Sequence, residues 1–299
     1  MTLVDRGLVL LVMALWGFNY AFAKLGLLEL PPFSLLAMRF LLVGGLTVPF
    51  ARTARRHLPQ LLALSVVFGT SHFGLVYLGL TRVDAATGAV LVQLQVPFAA
   101  LLSFLFLGER PGWSWLGGAS LAFLGAVVLL GEPRTSANQG HALLIVLSAV
   151  MWAVSYLQLK GMRKPGPLDS FSINAWMSLF SAPQLLALSL VFEQGQLQAL
   201  RRMSVIGWLS MAYQVLFVGL LAYVIWYRLI EKYPVSTTSP FTLLIPVLSS
   251  LAGLLLLGEP ITERFVVGAG VTLVGVAFLQ RGSARAGNRV VPTKQRVGT

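Results

Sequence analysis

The chain has 299 residues, of which 57% are hydrophobic and only 11% charged, and its mean hydropathy is +0.80. Soluble domains are usually about 25% charged, so this composition excludes an ordinary water-soluble globule, and the apolar content excludes a disordered chain. The formal net charge of +12 alone would suggest nucleic acid, but the hydropathy points to lipid instead. The sequence has no cysteine, which excludes disulfides, thiolate metal sites and cysteine nucleophiles.

Apolar stretches recur along the whole chain, separated by short breaks that carry proline, glycine or charge. Stretches of about 20 residues cross a bilayer as α-helices, whereas a β-barrel would show alternating segments of about ten residues. We therefore predict an all-α polytopic membrane protein with ten transmembrane helices. The predicted spans are 7–28, 32–51, 59–80, 84–107, 112–131, 140–160, 169–192, 204–230, 234–257 and 262–280.

The basic residues are distributed unevenly between the two sides of the membrane. With the N-terminus inside, fifteen Lys and Arg residues lie on the inner side and six on the outer side. Cytoplasmic loops are enriched in Lys and Arg, so both termini are predicted to be cytoplasmic. The Arg201–Arg202 pair falls on the outer side and does not follow this rule. Ala21-Phe22-Ala23 has the pattern of a signal-peptidase site, but we expect the first span to be retained because a later span repeats its features.

The second half of the sequence repeats the first. At an offset of 150 residues, Leu107-Gly108-Glu109 aligns with Leu257-Gly258-Glu259. At the same offset, further pairs are Tyr77 with Tyr227, Thr87 with Thr237, Gly118 with Gly268 and Gly125 with Gly275. At an offset of 136, the aligned pairs are Trp16 with Trp152, Tyr20 with Tyr156 and Lys24 with Lys160.

This repeat predicts the domain organisation. Residues 7–131 form the first repeat, residues 140–280 the second, and residues 281–299 a basic cytoplasmic tail that is predicted to be disordered. Each repeat has five spans, and because five is odd the second repeat enters the membrane inverted relative to the first. Inverted repeats are typical of transporters, whose substrate site lies near the bilayer midplane between the repeats.

These features resemble the EamA family of the drug/metabolite transporter superfamily. The resemblance covers residues 7–280 and rests on Trp16-Gly17-Phe18-Asn19, Pro31-Pro32, Arg39, Pro97, Leu107-Gly108-Glu109, Gly118 and Gly125, with Trp152, Pro246, Leu257-Gly258-Glu259, Gly268 and Gly275 in the second half. Within the family the chain looks most like bacterial exporters of amino acids, particularly aromatic ones. The resemblance implies an inner-membrane carrier whose cavity is lined mainly by helices one, three, four, six, eight and nine. Arg39 departs from the repeat, because Asn174 or Ala175 stands near the equivalent place in span seven.

Aromatic and polar side chains recur at helical spacing in the first and sixth spans. Trp16, Asn19 and Tyr20 share one helix face, and span six repeats this spacing with Trp152, Ser155 and Tyr156. Across an inverted twofold axis the two faces can converge on one cavity that suits flat apolar ligands. The alternative is an aromatic packing stripe or a set of interfacial anchors, and the mid-span position of both tryptophans favours the cavity. The predicted substrate-binding residues are Trp16, Asn19, Tyr20, His72, Tyr77, Gln93, Gln95, Trp152, Ser155, Tyr156, Tyr213 and Tyr223.

Two prolines interrupt spans four and nine. Pro97 and Pro246 are predicted hinges, because proline frees backbone carbonyls that lipid does not satisfy. Gln93 and Gln95 stand just before Pro97, and a run of Ser and Thr precedes Pro246. These polar side chains can serve either the freed backbone or a ligand, and the two glutamines cannot both point inward on a regular helix.

Ionisable residues inside the spans are few. Arg39, roughly 10 Å into span two, can hold a substrate carboxylate, but a structural partner or snorkelling is favoured. His72 is expected to be hydrogen-bonded packing rather than a proton carrier. Four carboxylates are expected at the membrane interfaces: Asp84, Glu109, Glu231 and Glu259. Span one lacks the mid-span glutamate of the small multidrug-resistance branch, which favours an uncharged or zwitterionic substrate and facilitated diffusion.

The remaining motifs do not indicate a catalytic or cofactor site. Gly118, Ala122 and Ala126 repeat every four residues and predict close helix packing. Gly268-Ala269-Gly270 lacks the third glycine of a dinucleotide motif, and the zinc-protease, serine-hydrolase and phosphate-loop motifs are missing from the sequence. We therefore predict no catalytic residue, no metal site and no cofactor.

The sequence thus predicts a bacterial inner-membrane exporter of amino acids, including aromatic ones, that works by alternating access. Its expected partners are a small-molecule substrate and the lipid bilayer, without nucleic acid, and it is expected to work as a monomer. One rival is a membrane enzyme or scaffold in which the aromatic pairs are packing. A second rival is a carrier of nucleotide sugars or sugar phosphates, for which several buried cations are expected and only Arg39 is well placed.

Overall fold

The computed structural model describes residues 1–52, 57–108, 113–131, 133–162, 169–233 and 235–288. These residues form helices and no strands, which confirms the all-α prediction. Eight of the described helices are long and apolar enough to cross a membrane, and a shorter apolar helix covers Leu116–Leu130. The chain is a multi-pass membrane protein.

The helices follow the predicted spans closely, and we name the ten membrane helices of the described residues α1 to α10. Their bounds are Leu3–Leu27 for α1, Pro32–Thr47 for α2, Leu58–Leu80 for α3, Ala85–Val92 and Gln95–Leu107 for α4, Trp113–Leu130 for α5, Gln139–Met162 for α6, Ser170–Phe192 for α7, Val205–Ala212, Tyr213–Ala222 and Tyr223–Lys232 for α8, Val235–Thr238, Ser239–Leu243 and Leu244–Leu257 for α9, and Glu263–Asn288 for α10. A 3₁₀ turn at Val48–Phe50 follows α2, and short helices at Pro133–Ser136 and Gln196–Arg201 precede α6 and α8.

The carboxyl end of α10 corrects one expectation about the tail. The helix continues to Asn288, so residues 281–288 are helical rather than disordered. The backbone of a helix satisfies its own hydrogen bonds, and Ala284, Arg285 and Ala286 are good helix formers that prolong it. The rest of the predicted tail, 289–299, lies outside the described residues.

The duplicated Leu-Gly-Glu motif marks the ends of α4 and α9. Gly108 and Gly258 follow these helices with φ of 67° and 63°. This left-handed conformation is unfavourable for residues with a Cβ, so glycine is the residue that ends a helix in this way. The repeated glycine therefore has the same backbone role in both halves.

The contacts between equivalent helices show that the repeats are inverted. Helices α2 and α7 are counterparts and run antiparallel. Ser34, near the start of α2, contacts Ser189 near the end of α7, with 2.7 Å between the hydroxyl oxygens. Beyond the other end of α2, the Arg52 backbone N–H donates to Ser172 at the start of α7.

The small residues of α5 pack directly against its counterpart α10, as predicted. A Cβ added at Gly125 would lie 2.4 Å from the backbone nitrogen of Thr272, and one added at Gly275 would lie 2.4 Å from that of Ala122. The closeness of these backbones requires residues without a side chain at the contact. This packing joins the last helix of the first repeat to the last helix of the second.

Helices α3 and α8, which are also counterparts, are irregular at equivalent positions. Each contains a π-helical segment, Ser65–His72 in α3 and Tyr213–Ala222 in α8. Residues 65–72 correspond to 215–222 at the 150-residue offset, so the irregularity is part of the repeat. π-helical segments are rare and often occur at functional sites.

Polar side chains are buried between the helices, while apolar ones cover the outside. Gln214, Ser148 and Ser178 are fully buried, whereas Leu190 and Phe192 are more than 70% exposed. This arrangement fits a bilayer, because lipid is as apolar as a leucine side chain and cannot bond polar groups. The candidate site lies in this polar interior.

Candidate substrate site

Helices α4 and α9 are broken at equivalent positions, and the two breaks touch. In α4 the break lies at Gln93 and Leu94, and in α9 the 3₁₀ segment Ser239–Leu243 precedes the regular helix. The Gln93 Nε2 donates to the backbone oxygen of Thr242 at 3.0 Å. Broken helices that meet between inverted repeats are where transporters place their substrate sites.

Pro246 accounts for the hydrogen bond that Gln93 donates at this break. Pro246 lies four residues after Thr242 and has no N–H to donate to its carbonyl. Gln93 donates a hydrogen bond to this carbonyl from the opposite repeat. Pro97 and Pro246 each occupy the first turn after a break rather than the break itself, and their role as hinges stays a prediction.

The break also changes the expectation for the two glutamines. Gln93 and Gln95 are both buried, because the helix between them is not regular. The Gln95 Oε1 accepts a hydrogen bond of 3.0 Å from the Tyr156 hydroxyl of α6. Gln93 thus serves the backbone, whereas Gln95 orients a predicted wall residue.

Five of the seven tyrosines of the chain converge from four helices. We call them the tyrosine cluster: Tyr20 of α1, Tyr77 of α3, Tyr156 of α6, and Tyr223 and Tyr227 of α8. Tyr223 is central, because it lies near Tyr20, Tyr77 and Tyr156. The rings of Tyr223 and Tyr227 lie 5.6 Å apart. The structure thus brings four of the predicted residues together and adds Tyr227, the sequence counterpart of Tyr77.

The two predicted tryptophans extend the tyrosine cluster on two sides. Trp16 packs on α8, with ring centroids 5.6 Å from Tyr223 and 5.2 Å from Trp226. Trp152 packs on α3, with its ring 4.8 Å from His72, and lies 6.5 Å from Tyr156. Each tryptophan therefore contacts a helix of the other repeat, and the two contacts are equivalent by the repeat symmetry.

The remaining predicted residues of the α3–α6 side have structural partners. His72 Nδ1 lies 2.9 Å from the backbone oxygen of Ser148, and its ring stacks on Phe68 at 5.1 Å. These contacts agree with the expectation that His72 is hydrogen-bonded packing. The Ser155 hydroxyl donates to the Trp152 carbonyl within α6 at 2.6 Å.

Two predicted residues of the α1–α8 side differ in their surroundings. Tyr213 stacks on Phe22 at 3.9 Å and donates to the Leu15 carbonyl at 3.0 Å, so its contacts join α1 to α8. Asn19 lies beside Tyr77, and its buried Oδ1 has no hydrogen-bond partner among the described residues. The unused oxygen leaves Asn19 able to accept a hydrogen bond from a ligand.

Arg39 does not snorkel to the interface. Its side chain is 2% exposed, and Nη1 donates to the Tyr77 hydroxyl at 2.7 Å. Tyr77 in turn donates to Gln214 Oε1, and Gln214 Nε2 donates to Ser210 at 3.1 Å. Gln214 is not among the predicted residues, although a glutamine in the middle of span eight is a signal of the same kind as Gln93.

An ion pair joins α1, α4 and α9 at the end of the molecule that holds Lys24. The Lys24 ammonium lies 2.7 Å from Glu259 and 3.8 Å from Asp84. Both carboxylate oxygens of Glu259 accept from the Ala85 N–H, at 3.0 and 2.9 Å, and so cap the start of α4. Glu259 lies at a helix end, as expected, but its side chain is buried there, because the helix start and Lys24 compensate its charge. Its counterpart Glu109 lies outside the described residues.

Two inverted helical repeats, with broken helices and an aromatic and polar cluster between them, define a membrane transporter. The chain belongs to the EamA-like transporter family, which matches residues 7–131 and 140–281.

Curated relatives agree with this class over nearly the whole chain. Proteins named probable amino-acid metabolite efflux pump, from Salmonella typhimurium and Escherichia coli, are 28% and 26% identical, and each alignment covers 91% of this chain and 93% of the relative. An uncharacterized transporter of Archaeoglobus fulgidus is 31% identical, with 91% of this chain and 96% of the relative covered. A solved crystal structure is similar with a TM-score of 0.63 at 17% identity, covering 96% of this chain and 99% of that one, and it supports the fold alone.

Proposed function

We propose that the chain exports amino acids and related metabolites, including aromatic amino acids, across a bacterial inner membrane. The observation that carries this proposal is the tyrosine cluster, which lies between the repeats with a tryptophan on each side. Flat apolar side chains of substrates stack on such a surface, while sparse hydroxyl and amide groups orient them. In this proposal the protein is a carrier rather than an enzyme, uses no cofactor, acts as a monomer and has both termini in the cytoplasm.

The charges of the interior support a small zwitterionic substrate. Among the described Lys and Arg residues, Arg39 is the one with a buried side chain. Nucleotide sugars and sugar phosphates carry several negative charges and would need several buried cations. The buried carboxylates of the described residues, Asp5 and Glu259, lie near opposite ends of α1 rather than beside the tyrosine cluster. Facilitated diffusion therefore remains our first hypothesis for the energetics.

Alternating access follows from the inverted repeats. The Lys24–Glu259 ion pair holds α1, α4 and α9 together at one end of the molecule. Export requires that this end opens while the opposite end closes, so that the tyrosine cluster faces one side at a time. The breaks in α4 and α9 and the π-helical segments of α3 and α8 are the places where the helices can bend with little loss of hydrogen bonding.

Flux of labelled L-phenylalanine from proteoliposomes tests the proposal. We expect saturable flux with the purified protein, and flux without a pH gradient if diffusion is facilitated. Trp152→Ala should lower the flux about tenfold or more, the usual range for removing a stacking aromatic from a binding site. Trp208→Ala is the matched control, because this tryptophan of α8 is 50% exposed on the outer surface, and its flux should stay within about twofold.

Three results would contradict parts of the proposal. An absence of flux for every amino acid would favour the membrane enzyme or scaffold. Full flux in a folded Trp152→Ala protein would remove the aromatic wall from the site. Flux that depends entirely on a pH gradient would replace facilitated diffusion by proton coupling.

A further inference from the structure

Arg39 carries a buried positive charge without a carboxylate partner among the described residues. Its partners are the neutral Tyr77 hydroxyl and the rings of Phe40 and Phe73, whose centroids lie 5.6 and 5.3 Å from the guanidinium carbon. Cation–π contacts and one phenol offset only part of the cost of burying a charge. The guanidinium is therefore suited to an anion that is not part of the described chain.

A small cavity lies beside this guanidinium. It has a volume of about 10 Å³, and its wall includes Arg39, Asn174, Ser178, Gly219 and Tyr223. Two buried polar atoms of this wall, Arg39 Nε and Ser178 Oγ, have no hydrogen-bond partner among the described residues. Unpaired polar atoms of this kind are costly in a protein interior, and two of them at one cavity mark a place prepared for a polar ligand.

The cavity adjoins the tyrosine cluster. Tyr223 belongs to both, and Arg39 interacts electrostatically with it. Arg39 also holds Tyr77, so a ligand that stacks on the tyrosine cluster can place a charged end at the guanidinium. Amino acids have such a shape, because the carboxylate lies a few ångströms from the side chain.

We propose that Arg39 binds the carboxylate of the transported amino acid, with Ser178 as an additional hydrogen-bond donor. This proposal rests on the proposed function and names the group of the substrate that is recognised. A guanidinium donates two parallel hydrogen bonds to a carboxylate, which gives both affinity and orientation. A volume of about 10 Å³ holds about one water, so the carboxylate enters when the cavity widens. Gly219, in the π-helical segment of α8, lies at the wall that would move.

Thermal unfolding of the detergent-solubilised full chain tests this proposal apart from transport. The probes are L-phenylalanine and L-threonine, each beside the amino alcohol in which –CH₂OH replaces the carboxylate. We expect the amino acid to stabilise the wild-type chain at a concentration at least about 30-fold lower than the concentration of amino alcohol that gives the same stabilisation. This factor corresponds to the loss of one buried charge pair between ligand and protein. 3-Phenylpropionate, which keeps the carboxylate and lacks the amine, should also stabilise the protein.

Arg39→Gln should remove this preference, and Arg39→Lys should keep part of it because a point charge remains. Arg82→Gln is the matched control, since Arg82 is exposed in the turn after α3, and the preference should be unchanged. If Arg39→Gln does not fold, Ser178→Ala provides the second variant. Its preference for the amino acid over the amino alcohol should be about threefold or more lower than that of the wild-type chain.

Several results would overturn the proposal. They are equal stabilisation of the wild-type chain by amino acid and amino alcohol, no stabilisation by any of the five probes, and an unchanged preference in folded Arg39→Gln. An anion control compares chloride with gluconate. If chloride stabilises the protein more than gluconate does, if this difference requires Arg39, and if amino acids have no Arg39-dependent effect, the cavity is assigned to an inorganic ion instead. The proposed function fails separately, if proteoliposomes show no amino-acid flux.

Discussion

Single side chains of one repeat complete the backbone of the other. Gln93 of α4 donates to the Thr242 carbonyl of α9, to which Pro246 cannot donate because it has no N–H. Glu259, just after α9, in turn accepts from the Ala85 N–H at the start of α4. In lipid an unsatisfied backbone group costs several kcal/mol, so each broken helix depends on its counterpart.

The hydrogen bond from Gln93 gives a prediction at the residue scale. Gln93→Leu should destabilise the protein by about 1–3 kcal/mol, because it removes a hydrogen bond to a part-buried carbonyl that residue 246 cannot replace. Pro246→Ala supplies an N–H four residues after Thr242, so the same substitution should cost less in that background. Unfolding of the four proteins in a double-mutant cycle measures the difference. Equal costs in the two backgrounds would show that the Thr242 carbonyl does not depend on Gln93.

The sequence identified the right residue types at this scale but not their partners. Gln93 and Gln95 were recognised as polar residues beside a proline, and the choice between backbone and ligand stayed open. The structure assigns Gln93 to the backbone and Gln95 to Tyr156, because the irregular turn between them sends both side chains inward. A regular helix, the assumption made from sequence, would have prevented this.

Between elements, α5 and α10 make a close backbone contact. Gly118 and Gly125 of α5 meet Gly275 and Thr272 of α10 with the backbones touching. Without a hydrophobic effect between helices in lipid, such van der Waals packing and the hydrogen bonds that accompany it drive association. The glycines repeated in the sequence therefore determine where the two repeats are joined.

A prediction at this scale concerns one of these glycines. Gly275→Leu should destabilise the protein by roughly 3 kcal/mol or more and lower the yield of monodisperse protein, because its side chain would overlap the Ala122 backbone. Gly117→Leu is the matched control on α5, since a Cβ there meets nothing within 4 Å, and we expect little change. Thermal unfolding and size-exclusion profiles provide the measurement. Equal stability of the two variants would contradict the packing role of Gly275.

Across the whole molecule, the Lys24–Glu259 ion pair is the contact that the proposed alternating access must break. It connects the first helix of repeat 1 to the segment after α9, and Glu259 also holds α4. Breaking one partner of a buried pair leaves a charge that prefers water, which favours a wetter, open arrangement. The ion pair is thus expected to set how often this end of the molecule opens.

Because the chain has no cysteine, one introduced thiol reports this opening. Thr87→Cys, buried beside Glu259, should react slowly with a membrane-impermeant maleimide, and adding Glu259→Gln should raise the rate about fivefold or more. Thr81→Cys, exposed at the same end, should react fast in both backgrounds. Glu263→Gln is the control for the charge change, because Glu263 is exposed at the start of α10. An unchanged rate at Thr87→Cys would mean that the ion pair does not hold this end closed.

The sequence by itself determined the helices and the repeat and, in outline, the residues of the candidate site. These features are local or periodic properties of the sequence: apolar stretches long enough to cross a bilayer, an offset of 150 residues and an odd number of spans per repeat. They can be recognised without knowing how the helices pack. For the same reason Trp16, Tyr20, Trp152 and Tyr156 could be selected in advance, because helical spacing alone places them on common faces.

Only the tertiary structure decided what these residues touch. The burial of Glu259, the link between Gln93 and Thr242, and the phenol that Arg39 holds all join helices far apart in sequence. A side chain at an apparent helix end can be exposed or buried, and an arginine in a span can snorkel or stay inside, with the same local sequence. The neighbouring helix supplies the partner that makes burial favourable, and sequence spacing does not determine that neighbour.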